Sequence, residues 1–348
     1  GVPASLTRAT LRVGTQGLVE ASVVSTYKPN DRAGVRIEAG GRSNNEFQTD
    51  SSAAAAPNDR GNDRGPIDLD GLLQLADNVQ LGLEASHARS DETEIGPTLY
   101  NQAFAHYRAD SIMAERIADT DYGLLQGTAY ANWLHWQSGS IGATSSLGPV
   151  ETVTPTNVEI QADNSVAVAQ LQDLFKLGTD HTLRLSAGYR RTSVNTTPTE
   201  GAHVAYQVYS ASGMWDWKIA PTLSLTNAVR LDHLELGRSG YLLPILPFAN
   251  ADWDRSLTEA SYNTGLVWQP NDADTFRATA SRGVQLPNIE DLGGLQYAVS
   301  TAPPLPIPIT GVPTIAPPIF TNYEIALDRR LSPPAAPFPH PSPSSTSV

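Results

Sequence analysis

An alternation of side chains in the last third of the chain constrains its fold more than any other feature. Residues 261–268 read SYNTGLVW, and residues 275–281 read TFRATAS after a turn at Pro270–Asp272. In both segments bulky apolar residues alternate with small or polar ones. A period of two is typical of β-strands whose two faces meet different surroundings. The stretch Leu257–Leu292 therefore predicts a β-hairpin followed by a longer connection.

The same alternation recurs along the chain, in pairs of segments whose connections are alternately short and long. Counting the segments predicts about fourteen strands. Short turns at one end and long loops at the other are typical of an up-and-down outer-membrane barrel, so we expect that separation here. The predicted short turns are Pro29–Asn30, Asp77–Asn78, Gly178–Asp180, Ala220–Pro221 and Pro270–Asp272. The predicted long loops follow Arg42, Arg89, Thr192, Leu234 and Gly283.

The two faces of these strands differ in chemistry. A polar face suits solvent in a soluble β-sandwich and the lumen in a membrane barrel, so alternation alone fits both folds. For a barrel we expect the apolar set to face lipid, namely Leu183, Leu185, Leu223, Leu225, Val229 and Leu231. The polar set with Arg184, Arg190 and Arg230 would then face the lumen. Five tryptophans are predicted beside short turns, either as an interfacial belt or as ordinary core aromatics: Trp133, Trp136, Trp215, Trp217 and Trp268.

Four segments interrupt the strand pattern. An acidic loop is predicted from Ser90 to Tyr122, with a short helix over Gln102–Ala118, and a tight turn is predicted at Gln137–Gly139. The segment Thr301–Pro318 is rich in proline, which lacks a backbone N–H, and predicts a loop. The low-complexity segment Ser332–Val348 predicts disorder.

Composition excludes several classes of function. The formal net charge of −13 argues against nucleic acid as a partner, because phosphate binding needs clusters of Lys and Arg. The chain has no cysteine, so it has no disulfide, thiolate nucleophile or cysteine-ligated metal. Its histidines are scattered, and catalytic sequence motifs are missing, so we expect no enzyme and no cofactor. The repeated NDRG at residues 58–65 is expected to form a loop, and the acidic loop predicts either solvation or a cation contact.

Three segments resemble, in order, parts of the barrels of TonB-dependent outer-membrane receptors. They are LFKLGTDHTLRLSAGYRRT (Leu174–Thr192), the hairpin Leu266–Pro287 with its SRGVQLP ending, and TNYEIALDRRL (Thr321–Leu331). The resemblance implies an all-β fold, an antiparallel up-and-down transmembrane β-barrel. Such barrels have about 22 strands, so about 14 would make an incomplete barrel. We expect residues 1–331 to be this partial barrel, without the family's plug domain, and residues 332–348 to be a tail.

The resemblance also implies a function. It implies an outer-membrane receptor that imports a scarce ligand, such as a ferric siderophore or similar small chelate. Its partners would be outer-membrane lipid and a TonB-type energy-coupling protein that acts through the plug. The predicted facing of their side chains towards the lumen is the only basis for four candidate ligand contacts: Arg190, Arg230, Arg277 and Arg282. The alternatives are a porin-like channel and a secreted all-β binding or adhesion protein. A partial barrel predicts two open edges, near Leu6–Val13 and Tyr323–Leu327.

Overall fold

The fold is one large up-and-down β-sheet. The computed structural model describes residues 5–45, 62–95, 102–140, 158–196, 202–242, 244, 246–293, 295–299 and 306–330. Within these residues fourteen antiparallel strands form a single sheet, and each strand pairs with the next in sequence until β13, which pairs with β16. The intervening β14 and β15 form a separate two-stranded sheet. The predicted fold class and the strand number are confirmed.

The strands of the large sheet are β1 (Leu6–Val13), β2 (Val19–Asn30), β3 (Ala33–Asn44), β4 (Asn62–Ala76), β5 (Val79–Ile95), β6 (Gln102–Asp119), β7 (Leu124–Ser140), β8 (Val158–Leu177), β9 (His181–Thr196), β10 (Ala202–Ala220), β11 (Leu223–Gly240), β12 (Arg255–Trp268), β13 (Asp274–Val284) and β16 (Ile319–Arg329). The small sheet contains β14 (Leu295–Val299) and β15 (Pro306–Thr310). A 3-10 helix covers Asn250–Trp253, and α1 covers Ile289–Gly293. No helix among the described residues is long and apolar enough to cross a membrane.

All five predicted short turns lie at one end of the sheet, because sequential antiparallel strands return every second connection to the same end. Their sequences suit tight turns. The side-chain oxygen of Asn271 accepts hydrogen bonds from the backbone N–H groups of Ala273 and Asp274, both at 2.9 Å. Gly178 has a φ of 68°, which glycine adopts without steric cost. We call this the turn end, and the opposite end, with the long connections, the loop end.

Two predictions between β5 and β8 are wrong. Residues Gln102–Ala118 are not a helix but lie in β6, which pairs with β5 on one side and β7 on the other over nearly its whole length. Helix propensity is worth under about 1 kcal/mol per residue, and two continuous ladders override it. No turn forms at Gln137–Gly139, because β7 continues to Ser140. The strand number is nevertheless right, because β6 takes the place of the strand expected after that turn.

Two loop predictions also need correction. Half of the NDRG repeat, Asn62–Gly65, begins β4. Part of the proline-rich segment forms β15, where Pro306 pairs with Val299 and Pro308 with Tyr297. Each strand of a two-stranded sheet has an open edge, where the missing N–H of a proline costs no ladder bond. The predicted disordered tail, residues 332–348, lies outside the described residues.

The register confirms the predicted division of the faces. Leu185, Val229 and Leu231 point to one face, where 52%, 58% and 51% of their surface is exposed, as expected for side chains that meet lipid rather than a protein core. We call it the outer face. Arg184, Arg190 and Arg230 point to the opposite, inner face.

Aromatic residues lie at two levels of the outer face. At the turn end, Trp215 stacks on Trp217 at 5.3 Å, and Trp268 stacks on Phe276 at 5.2 Å. Nearer the loop end, Tyr189 and Tyr209 lie 5.4 Å apart. Such pairs at both borders of an apolar band are typical of barrels in membranes. Trp133 and Trp136 lie within β7, so for these two the predicted place beside a short turn is wrong.

The sheet is open. Among the described residues, β1 pairs only with β2 and β16 only with β13, so each has one edge without a partner there. These are the two edges that the sequence predicts. The observation supports a partial barrel rather than a complete small channel.

A pair of adjacent substitutions tests the assignment of the faces. Val229 lies on the outer face and pairs with Gly213, between the two aromatic levels, whereas Ala228 lies on the inner face. We expect Val229→Arg to lower the free energy of unfolding by about 2–4 kcal/mol in a bilayer, because the charge meets hydrocarbon. Ala228→Arg should cost less than about 1 kcal/mol. Urea titration of the protein refolded into lipid vesicles measures both, and equal losses would contradict the assignment.

Candidate functional site

A cavity of about 620 Å³ lies on the inner face of β7–β12, below the connection that follows β13. Its volume is in the range of sites for small ligands. Strands β9, β10 and β11 form most of its wall, and residues 286–289 and Pro317 form its roof. The polar and aromatic side chains around it include Tyr130, Arg190, Tyr206, Arg230, Asp232 and Glu259.

The roof is held by an apolar cluster near the loop end of the inner face. Trp253, Ile289 and Leu292 come from the two connections and are 0%, 6% and 2% exposed. They pack on apolar residues of β9–β11, including Val204 and Leu236. The inner face is therefore not uniformly polar. It becomes apolar where connections fold back onto it, because they need a core to bury their own apolar side chains.

Arg190 brings an unpaired cation to the cavity wall. Its Nε donates to the hydroxyl of Thr192 at 3.1 Å, and its guanidinium lies 5.9 Å from the centre of the Tyr206 ring. No carboxylate forms an ion pair with Arg190 among the described residues. An arginine held by neutral groups retains its full attraction for an anion.

Arg230 lies on the same wall but is neutralised. Its Nε donates to both carboxylate oxygens of Asp232, at 3.0 and 2.9 Å, and a second nitrogen lies 2.8 Å from that carboxylate. Residues two apart on a strand share a face, so the sequence itself brings this pair together. The pair adds polarity to the wall and little net charge.

Arg282 contributes indirectly. The register places it opposite Tyr262, on the outer-face side of the alternation, at the last pair between β12 and β13. Beyond this point the two strands separate, and the guanidinium turns into the gap. There it donates to the carbonyl oxygen of Ala260 and to the carboxylate of Glu259, the latter at 2.8 Å. Glu259 lines the cavity, so Arg282 neutralises a wall residue without lining the cavity itself.

Arg277 lies away from the cavity. Its guanidinium is 3.1 Å from the carboxylate of Asp328, near the turn end of β13 and β16. The structure therefore brings together Arg190 and Arg230, connects Arg282 through Glu259, and leaves Arg277 apart. Their role as ligand contacts stays a prediction.

The sequence analysis considered only the facing of charged residues, so it did not identify the uncharged residues of the cavity wall. Tyr206 belongs to an alternating run in β10 in which Val204, Tyr206 and Val208 are all buried, so alternation contained the signal. The side-chain oxygen of Asn164, also at the cavity, is buried and has no hydrogen-bond partner. Buried polar atoms are nearly always satisfied, so this oxygen is available to a donor group of a ligand or to water.

Several histidines form cross-strand pairs on the outer face, a feature that their scattered positions in the sequence conceal. In three of them Nδ1 lies beside a side-chain oxygen of the neighbouring strand: His87 with Asp110 at 2.7 Å, His135 with Asp163 at 2.6 Å, and His203 with Asn195 at 2.6 Å. Among the described residues, no group of three or more His, Asp or Glu is placed to hold a metal ion. These pairs stabilise the strands where they extend towards the loop end.

Comparison with known proteins agrees with this architecture. The family model described as "TonB dependent receptor-like, beta-barrel" matches residues 14–335. The chain belongs to this family. Members of the family are bacterial outer-membrane proteins, and they are receptors and transporters rather than enzymes. No curated relative matches the chain by sequence.

Solved structures of several receptors share the fold at low sequence identity. A copper transporter, OprC, is 15% identical with a TM-score of 0.67, over 83% of this chain and 46% of its own. The ferric-catecholate import receptor Fiu from E. coli K12 is 11% identical with a TM-score of 0.66, over 93% of this chain and 55% of its own. The alcaligin receptor FauA from Bordetella pertussis is 12% identical with a TM-score of 0.63, over 93% and 48%. The chain thus spans about half the length of these structures.

A double-mutant cycle tests the ion pair behind the cavity wall. Arg282 and Glu259 are 24% and 32% exposed, so their attraction is only partly screened. We expect a coupling of about 0.5–1 kcal/mol between Arg282→Met and Glu259→Gln in urea titrations. The matched control is the pair of Arg277 and Asp328, which is 56% and 58% exposed and should show coupling near zero. Equal coupling in the two cycles would contradict the difference in environment.

Proposed function

We propose that this chain is barrel wall from a receptor that imports a scarce anionic metal chelate, such as a ferric siderophore, by TonB-dependent transport. Membership of the family supports energised uptake across the outer membrane. The structures that share the fold include a copper transporter, an alcaligin receptor and a ferric-catecholate import receptor, which supports a metal or a metal chelate as the ligand. A TonB-type protein would supply the energy through a plug domain.

The observation that carries the choice of ligand is the unpaired Arg190 on the cavity wall. Its guanidinium meets the cavity beside the Tyr206 ring, whereas Arg230 and Arg282 are neutralised by Asp232 and Glu259. A cation next to an aromatic face favours a flat, negatively charged group, because charge attraction and ring contact act together. A metal chelate with aromatic ligands has both properties.

The two alternatives from the sequence are less well supported. A complete porin-like channel requires a closed sheet, whereas β1 and β16 each have a free edge. A secreted all-β protein would bury or remove a wide apolar face, whereas Leu185, Val229 and Leu231 are more than half exposed.

Two synthetic ferric chelates of similar size test the role of Arg190. A tris-catecholate complex of Fe(III) carries three negative charges, and a tris-hydroxamate complex is neutral. We expect Arg190→Gln in the full-length receptor to weaken binding of the anionic chelate about tenfold or more, because a charge-assisted hydrogen bond is lost. Binding of the neutral chelate should hardly change. Quenching of tryptophan fluorescence measures both affinities.

The control for this experiment is Arg277→Gln, which removes a cation that is remote from the cavity and paired with Asp328. It should leave both affinities unchanged. Unchanged binding of the anionic chelate by Arg190→Gln, or an equal loss for both chelates, would overturn the proposed contact.

A further inference from the structure

Arg238 is a buried arginine whose contacts all go to neutral groups. It lies near the end of β11 and is 7% exposed. Its Nε donates to the carbonyl oxygen of Gly293 at 3.2 Å, and a terminal nitrogen donates to the carbonyl oxygen of Tyr241 at 3.1 Å. The other terminal nitrogen donates to the side-chain oxygen of Asn250. One side chain of the barrel wall therefore holds two long connections, one of which forms the roof of the cavity.

Arg238 contacts two long connections. The first connection is residues 241–254, between β11 and β12. The second connection is residues 285–318, between β13 and β16. Tyr241 and Asn250 belong to the first, and Gly293 belongs to the second. The planar guanidinium presents five donors in a fixed fork, which allows it to reach acceptors in several directions at once.

Trp253 completes the junction. Its ring centre lies 5.1 Å from the guanidinium carbon of Arg238, a cation–π contact that offsets the burial of a charge for which the described residues provide no carboxylate partner. The ring is fully buried, and its Nε1 donates to the carbonyl oxygen of Leu292 in the second connection. Phe248 packs edge-on against it at 5.7 Å. A residue of the first connection therefore bonds directly to the second.

Two glycines of the second connection lie near this junction at positions where a side chain would not fit. A Cβ added at Gly293 would lie 2.9 Å from a methyl of Val204 and 3.0 Å from Nε1 of Trp253. A Cβ added at Gly311 would overlap the backbone of Asp291 and Gly293. Farther along the second connection, Arg255 of β12 donates to the carbonyl oxygen of Pro313. The backbone of the second connection is thus packed against the first connection and the wall.

We propose that Arg238 is a positioning residue that joins the two connections into one cooperative unit, which includes the roof of the cavity. Because its fork and Trp253 contact both connections, releasing either one removes bonds from the other. Ile289 lines the cavity and opens α1, which ends at Gly293, so the same junction sets the height of the roof. The cooperative unit follows from these contacts alone, and only its effect on ligand affinity rests on the proposed function.

Hydrogen exchange measured by mass spectrometry on the full-length protein tests the cooperative unit. Asn250→Ala changes only the first connection. We expect it to raise the exchange rates of residues 289–293, in the second connection, about as much as those of residues 250–254. Arg238→Met should raise both about tenfold or more, and Arg238→Lys should not restore protection, because one ammonium group cannot span the three acceptors. Asn271→Ala, in a turn at the opposite end, is the matched control and should change neither segment.

Faster exchange confined to residues 250–254 in Asn250→Ala would overturn the proposal, and so would full protection in Arg238→Lys. If Arg238→Met fails to fold, Asn250→Ala still decides the matter. A separate arm measures the two ferric chelates. Arg238→Lys should weaken the binding of both, because the roof is displaced, whereas Arg190→Gln should weaken only the anionic one. Should the unmodified protein bind neither chelate, the proposed function fails while the exchange result still tests the roof.

Discussion

The backbone ladder is the constraint on which the rest of this structure depends. In hydrocarbon an unpaired N–H or C=O costs several kcal/mol, so a chain can cross a membrane as strands only when each strand is paired on both sides. Strands β2–β13 of the large sheet meet that condition. It explains why β6 is a strand although its sequence suggests a helix. Among the described residues, β1 and β16 are the two strands of this sheet that are paired on one side only.

Side chains divide according to what the ladder exposes them to. The outer face is apolar between its two aromatic levels and gains His–carboxylate pairs towards the loop end. The inner face is polar along most of the strands and has an apolar cluster under the two connections. The cavity lies at the border between these inner regions, where Arg190 lies near Tyr206 and Val208. The cavity wall is therefore partly polar and partly apolar. The connections need apolar residues to pack on, whereas the rest of the inner face is polar.

Alternation predicted the fold well because side chains of a strand alternate between its two faces whatever surrounds the strand. It gave the strand number and the facing of Arg190 and Arg230, whereas the open edges followed from the resemblance to a larger barrel. It failed at Gln102–Ala118 and Gln137–Gly139, where Ala, Glu and Gly carry local preferences that neighbouring strands override. The predicted facing of the side chains could not show that Asp232 neutralises Arg230. It also could not show that Arg282 turns into the gap where β12 and β13 separate. Arg238 was missed because two of its three acceptors are backbone oxygens, which no residue type in the sequence reveals, and the third belongs to Asn250 in a connection.

The length of the strands has a mechanical consequence. Crossing the hydrocarbon takes about 9–11 tilted residues, yet β8, β10 and β11 have 20, 19 and 18. The additional residues extend the paired strands beyond the length needed to cross the hydrocarbon, as a rigid sheet. Connections that pack on this part of the sheet are held in place by it, so ordering them costs less conformational entropy than ordering a free loop of the same length.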